Sequence, residues 1–331
     1  MIKMERKIIS LILILSFSLL VVGCSQEQVE FDKVTLGAET SLLTAAVWVA
    51  EDQGYFQEQG LDLTIKEFDS GKASFNDMLN GGVDISTVAP TPIMFNSFKR
   101  QDFSIFATFV DSNEDVKVIT RKDVGINSAA DLKGKKIGIV DGSTSQFFLG
   151  AFLIYTKILE SDVETVSFIP SELPSALQNG DVDAIVIWEP HAYNAINLLG
   201  DNSLVIPSSE VYTETFNLMV LNKFVEDNPE IIEKFLMAVD EATNFIKNNK
   251  EESQTIVAER LNLDQEIITT LWDDFKFKIS LDQSLLVTLE DEARWAIEND
   301  LTDAKEVPNY LDYIHLNTLE KVKPEAIGII R

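Results

Sequence analysis

This 331-residue chain has one cysteine, Cys24, and two histidines, His191 and His315. A single thiol excludes an internal disulfide and a thiolate metal site, and two histidines exclude a multi-histidine metal centre. Basic residues are also scarce, 27 Lys+Arg against 54 Asp+Glu. With no basic patch to neutralise phosphates, nucleic-acid binding is excluded as a function class. No G-x-S-x-G, H-E-x-x-H, P-loop or G-x-G-x-x-G follows a strand in the required way, so the common hydrolase, metalloprotease and nucleotide-binding signatures are missing. Acidic pairs such as Asp273-Asp274 are expected by chance in so acidic a chain and carry no weight as catalytic dyads. No catalytic residue, cofactor or metal is expected.

One apolar run is present, at residues 8–22, interrupted only by serines and preceded by Lys3, Arg6 and Lys7. It is shorter than the ~20 residues a spanning helix needs. Charge, run and the closing Val21-Val22-Gly23-Cys24 resemble a bacterial lipobox, in which cleavage leaves a lipidated Cys24 at the mature N-terminus. A plain transmembrane segment with a chance cysteine is the alternative. The expectation is a signal peptide over 1–23, a polar linker over 24–32, and an exported protein, lipid-anchored to the outer face of the cytoplasmic membrane or in the periplasm. Without residues 1–23 the chain carries 24 Lys+Arg against 53 Asp+Glu, a net charge of −29. An anionic membrane would repel such a body, so a covalent tether would have to hold it there; solubility is the simpler explanation of the charge.

About 300 mature residues usually split into two lobes. Strand and helix patterns alternate twice. In the first block, strand patterns at residues 34–38, 61–68, 83–88 and 103–110 are separated by helical ones at 45–52 and 74–79 and by a Pro-initiated helix at Thr91-Pro92. In the second, strands are expected at 137–140, 166–169 and 184–188, with helices at 142–159 and 173–179. Such alternation predicts α/β architecture with mostly parallel sheets and helices on both faces. Residues 229–247, 251–261, 264–273 and 284–298 read as amphipathic helices, the first capped by Asp227 or Asn228. A strand or turn with a short helix is expected over 310–319.

Ligands of open parallel sheets sit beyond the carboxyl ends of strands. Three elbows there are candidates: residues 39–44, opened by Glu39 after the first strand, with Thr40, Ser41 and Leu42 as ligand candidates; residues 89–91, with Pro90 and Thr91; and residues 141–145, with Gly142, Ser143, Thr144 and Ser145, the most donor-rich of the three. Ser41, Thr91 and Ser143 serve equally well as ordinary N-caps. A fourth candidate is Trp188-Glu189 at the end of a buried strand, with a stacking face and a charge. Trp48 is a core residue or a cleft wall, and His191 a surface residue.

The stretches Ala45-Ala46-Val47-Trp48-Val49-Ala50-Glu51 through Gly60-Leu61, Asn80-Gly81-Gly82-Val83-Asp84, Asp131-Leu132-Lys133-Gly134-Lys135-Lys136, Asn179-Gly180-Asp181-Val182-Asp183-Ala184 and Trp188-Glu189-Pro190 resemble, in order, the receptors of ABC importers for nitrate, sulfonates, taurine and thiamine-precursor pyrimidines. Asn228-Pro229-Glu230 resembles their C-terminal segment. The resemblance implies a two-lobed, periplasmic-binding-protein-like (type II) clamshell with a helical C-terminal part, a small-molecule ligand in the cleft, and permease and ATPase partners. Lobe 1 is then 33–115 plus 216–331 and lobe 2 is 116–215, with crossings near 116–120 and 216–221; Phe216 and Asn217 join the site candidates. The protein is expected to be a monomer. A suicide enzyme of this fold, resembling a pyrimidine-synthesising relative with a cysteine-rich motif, is disfavoured by the lack of cysteines. A sensory receptor would share the same cleft.

No Arg or Lys stands in the elbows, so an anion would be held by N–H groups, hydroxyls and helix dipoles. Glu189, if it points inward, would repel nitrate or bicarbonate. An organic solute with an amine or protonatable ring, taurine-like or a pyrimidine, is therefore expected.

Overall fold

The computed structural model describes residues 31–330. Cys24, the signal peptide and all but the last two linker residues lie outside them, and the first strand already begins at Asp32.

In chain order the elements are β1 (Asp32–Glu39), α1 (Ala45–Asp52), α2 (Tyr55–Glu58), β2 (Leu61–Phe68), α3 (Gly71–Leu79), β3 (Ile85–Val88), α4 (Pro90–Ser97) and β4 (Phe103–Ser112). A second group follows: β5 (Lys117–Arg121), β6 (Lys136–Ile139), α5 (Thr144–Thr156), β7 (Glu164–Ser167), α6 (Leu173–Asn179), β8 (Ala184–Ile187), α7 (His191–Leu199) and β9 (Ser203–Ile206). The chain then continues through β10 (Glu214–Leu221), α8 (Asn222–Asp227), α9 (Pro229–Asn248), α10 (Lys250–Leu261), α11 (Gln265–Leu271), β11 (Phe275–Asp282), α12 (Gln283–Glu298), α13 (Leu316–Val322) and β12 (Ile327–Gly328).

Two mixed sheets result. The seven-stranded sheet has the order β12-β11-β4-β10-β3-β1-β2, and the five-stranded sheet β7-β6-β8-β5-β9. In each, parallel and antiparallel pairings are equal in number. Each sheet has its own hydrophobic core. The chain leaves the first sheet between Ser112 and Lys117 and returns between Ile206 and Glu214. Both passages precede the strands at 116–120 and 216–221, which are themselves sheet members.

The strand ends are buried because helices cover both faces. β1 loses its alternation at Leu36–Ala38 for this reason, and Gly37 is the close-approach point. A Cβ there would lie 2.6 Å from the Ser74 hydroxyl on α3. β3 and β8 are buried along their whole length.

The C-terminal helices pack on the first sheet. α9 buries Ile232, Phe235, Leu236 and Val239 on one stripe, and Phe235 meets Phe56 at 5.1 Å. Its N-cap position is Asn228, but the side chain does not cap; Asn228 Nδ2 turns back and donates to Phe224 O at 3.1 Å. The tail is not purely helical. Phe275–Asp282 forms β11, antiparallel to β4, and its apolar residues alternate with Lys276, Lys278, Ser280 and Asp282 as a half-exposed strand requires. Residues 310–313 form a 3₁₀ turn leading to α13. Among the described residues no helix is long and apolar enough to cross a membrane.

Candidate functional site

Strand ends from both sheets converge on a pocket with about 290 Å³ of empty space, part of it open to solvent. From the seven-stranded side come Glu39 at the end of β1, Ser70, Gly71 and Lys72 at the start of α3, Ala89 and Pro92 around the start of α4, and Glu214 at the start of β10. The five-stranded side supplies Ser143 and Thr144 at the start of α5 and Trp188 after β8. Leu43 completes the lining.

Glu39 is buried. Its Oε2 accepts the Gly71 N–H at 2.7 Å, and its own carbonyl accepts the Thr44 hydroxyl at 2.7 Å. Burial, reinforced by the nearby Asp115 charge, pushes its pKa up to about 8 against the pull of the Gly71 N–H. Glu214 Oε1 accepts the Thr144 hydroxyl at 2.9 Å, a bond from one sheet unit to the other. Its Oε2 is buried without a hydrogen-bond partner, and burial pushes this carboxyl up to about 8 as well. Behind it, both carboxyl oxygens of Asp115 are buried without a donor. Burial first, then the adjacent Glu214, raises the Asp115 pKa well above the usual range. Glu292 on α12 is a fourth buried acid, pushed by burial to about 8 and holding the hydroxyls of Thr91 and Tyr212 on Oε1.

Lys72 is the cation of the pocket. Its Nζ donates to Asp141 O at 2.5 Å, tying α3 to the turn before α5. Burial lowers its pKa while the Asp141 charge opposes the shift. That turn needs Gly142, whose φ is +63° and whose absent Cβ would sit 3.0 Å from Lys72 Nζ. Ser143 is both cap and lining: its Oγ accepts Ser145 N–H at 3.2 Å and donates to Val140 O at 2.7 Å. The N–H groups of Ser143 and Thr144, at the first turn of α5, have no acceptor within the helix. Trp188 is buried with Nε1 unpartnered, close enough to Glu39 to stabilise its charged form.

Of the fourteen residues expected from sequence, Ser143, Thr144 and Trp188 line this pocket, and Gly142 lies beside Lys72. The structure places the others elsewhere. Thr40 Oγ1 donates to Phe68 O at 3.2 Å, and Leu42 is core. Ser41 is fully buried, and its carbonyl accepts Trp48 Nε1 at 3.3 Å. Trp48 packs in the first core with the Arg260 guanidinium 4.6 Å above its ring. Pro90 opens α4, and Thr91 is bound to Glu292. Ser145 Oγ donates to Val186 O at 2.6 Å and accepts Val140 N–H at 3.1 Å, joining β6 to β8. Phe216 is core, 5.8 Å from the Phe109 ring. Asn217 stitches β10 to its neighbours through Thr108 Oγ1 at 2.6 Å and Val88 O at 3.2 Å.

Glu189 is buried, paired with Lys117 at 2.9 Å, and accepts the Tyr193 N–H at 2.8 Å. It is not among the lining residues; the carboxylates that line the pocket are Glu39 and Glu214. The cation that the elbows lack comes from Lys72. Its elbow, Asp69-Ser70-Gly71-Lys72, obeys the strand-end rule, but the helix was expected only from Ser74. Glu214 and Asp115 carry no local signal, because only the fold brings them together. Among the described residues no cluster of three or more His, Cys, Asp or Glu is placed to hold a metal ion.

A family model described as NMT1/THI5 like matches residues 43–253. A Bacillus subtilis (strain 168) protein named for aliphatic sulfonate binding is 27% identical over 251 residues, 74% of this chain and 75% of that protein. The taurine-binding periplasmic protein of Escherichia coli (strain K12) is 27% identical over 227 residues, 67% and 69% of the two chains. Among solved structures, the periplasmic aliphatic sulphonate binding protein from Escherichia coli superposes with a TM-score of 0.73 at 20% identity, covering 86% of this chain and 97% of that one. The fold is that of a periplasmic binding protein.

Proposed function

The chain belongs to the NMT1/THI5-like family, and from that premise we propose that it is the exported solute-binding component of an ABC importer, capturing a small organic solute that carries both a negative and a positive group. The observation that carries this reading is that one pocket is lined both by groups suited to an anion and by buried carboxyls. Lys72 and the first turn of α5 line it together with Glu39 and Glu214, the Gly71 N–H beside Lys72 donating to Glu39 and the Thr144 hydroxyl to Glu214. A helix start favours an anionic group, and buried carboxyls favour a cationic one. An aminosulfonate of the taurine kind satisfies both, and an aminopyrimidine thiamine precursor satisfies the acids. The names of the relatives point to the aminosulfonate.

In this reading residues 33–115 with 216–331 form one lobe and residues 116–215 the other. The ligand stabilises their closed arrangement by contacts it makes only there, and Cys24 carries the lipid. Capture is noncovalent, the protein acts as a monomer, and a permease and ATPase receive the solute. Purely inorganic anions such as nitrate or bicarbonate are disfavoured, since two buried acids line the space they would occupy.

Thermal unfolding with a ligand panel tests the reading. At about 100 times the dissociation constant a ligand adds about 2.7 kcal/mol, a rise of roughly 5 °C for a chain of this size. Taurine or an aminopyrimidine is expected to give that rise, and ethanesulfonate, nitrate and bicarbonate little. Stabilisation by nitrate or bicarbonate alone would overturn the proposal in favour of an inorganic-anion receptor.

A further inference from the structure

Four buried acids, Glu39, Asp115, Glu214 and Glu292, lie close enough to act on one another, and Glu39 and Glu214 line the pocket. They come from four separate elements or passages, so no local motif accounts for their meeting. The nearest cations are committed elsewhere. Lys117 is held by Glu189, and Lys72 by the Asp141 carbonyl. The cluster's hydrogen-bonding neighbours are neutral, Thr144 on α5, Thr91 on α4 and Tyr212 ahead of β10. Of the charged groups near it, Asp69, Glu189 and Asp291 oppose ionisation of Glu39, Asp115 and Glu292, and only Lys117 favours it, at Asp115. Two neighbouring carboxylates with this little compensation cannot both stay ionised in a dry site. Glu214 Oε2 and Trp188 Nε1, both lining residues, are buried and unpartnered, as are both oxygens of Asp115.

Building on the amine-bearing solute proposed above, we propose that Glu214, backed by Asp115, is an ammonium subsite that holds a proton when vacant and releases it to solvent as the ligand's cationic nitrogen binds. The exchange is charge for charge. One O–H bond on the carboxyl pair breaks, the proton leaves to the buffer, and an N–H of the ligand takes its place on the freed oxygen. The net charge of the site is unchanged, so a cation is accepted without the cost of burying a second bare carboxylate. A neutral or purely anionic solute gains nothing from the subsite. Selection for the amine then follows from the acid pair, whereas the negative end is selected by Lys72 and α5.

The experiment is calorimetric titration of the whole mature protein with taurine, and separately with an aminopyrimidine, in phosphate and in Tris at the same pH. The difference in apparent heat counts the protons released. With taurine, whose amine is already an ammonium ion, about one proton per ligand is expected near pH 6.5, and affinity rises about tenfold per pH unit up to the Glu214 pKa of about 8, then levels off. A weakly basic aminopyrimidine that is neutral in solution takes the Glu214 proton onto its ring and releases correspondingly less. Glu214→Gln is expected to bring the count toward zero and flatten the pH profile. Asp115→Asn, which keeps the shape of the pair, is expected to lower the count as well and guards against a fold defect in the first variant. Taurine binding with equal affinity at pH 6 and 8 and no dependence on buffer would overturn the exchange while leaving the amine-bearing solute in place. If neither amine binds but ethanesulfonate does, both the solute class and the exchange are wrong.

Discussion

The two walls of the pocket are built to opposite chemical plans. On the seven-stranded side the charged groups are carboxyls buried against expectation, Glu39 at a strand end and Glu214 at a strand start, with Glu292 on α12 acting on Glu214 from outside the lining. On the five-stranded side the polar groups are hydroxyls and amides at the start of one helix, Ser143 and Thr144 on α5, with one indole beside them. The first wall is costly when empty and the second is not, since an N-cap is satisfied by its own backbone. Under the proposed function, that asymmetry would place the driving force on the acid wall, which the ligand relieves, and its orientation on the helix wall. Lys72 is the exception, a cation carried by the acid side that reaches across to Asp141.

The comparison breaks most plainly with pH. Glu39 and Glu214 have folded values of about 8 against 4.5 ordinarily, so the folded protein binds more protons than the unfolded chain between those limits. The stability these two groups contribute is therefore fully present below about pH 4.5 and is lost as pH rises to about 8, by up to ~1.4 kcal/mol per pH unit for each group. Unfolding midpoints from pH 5 to 9 measure this. Glu39→Gln is expected to remove one share of the slope, and a flat wild-type profile would contradict the acid wall.

Lys72→Gln comes next. It removes the cation and its reach across the pocket, and affinity for an aminosulfonate is expected to fall about 10- to 100-fold, since a charged hydrogen bond contributes about 1.5–3 kcal/mol. Affinity for an aminopyrimidine, which offers no anion, is expected to fall far less, and equal losses for both would show that Lys72 acts only as a brace. Calorimetry with both ligands separates the cases. Thr144→Val deletes the hydroxyl that joins the two walls at Glu214; a stability loss of about 1–2 kcal/mol is expected in chemical denaturation, larger at pH 8 than at pH 6, because the lost donor served the ionised carboxyl. The smallest effect on the ligand belongs to Glu189→Gln. It leaves Lys117 without its charge partner and costs stability, but affinity is expected to change less than about twofold, because Glu189 is not in the pocket.

These two walls were not equally legible in the sequence. The helix wall could be read because its signal is local: Gly142-Ser143-Thr144 follows a strand, supplies the left-handed turn and caps the next helix within three residues. β2 was readable to its last residue, Phe68, for the same reason, its period-two pattern being self-contained. The acid wall was readable only at Glu39, which opens the elbow after the first strand; its role beside the other acids was not. Glu39, Asp115, Glu214 and Glu292 are up to 253 residues apart, and in a chain with 54 acidic residues none of the other three stands out before folding selects it. Glu189 misled because a charge at a strand end resembles a ligand group until Lys117 on the neighbouring β5 is seen to neutralise it. Trp48 misled by proximity, since one turn of helix carries the indole from the elbow into the core. β11 was overlooked because its lysines and aspartate mask a strand lying between two amphipathic helices.

Phe147 lies one turn beyond Thr144 on α5, yet it packs with the first core, 5.3 Å from both Tyr212 and Trp295. The helix whose tip meets the solute is thus held at its flank by the opposite half of the molecule. Trp295 also rests against Gly150, where a methyl group would come within 2.5 Å of the indole nitrogen. A shift of that helix under the proposed capture would drag or release an aromatic ring at its far side, so Trp295 emission is expected to follow occupancy once the lining Trp188 is replaced by Phe.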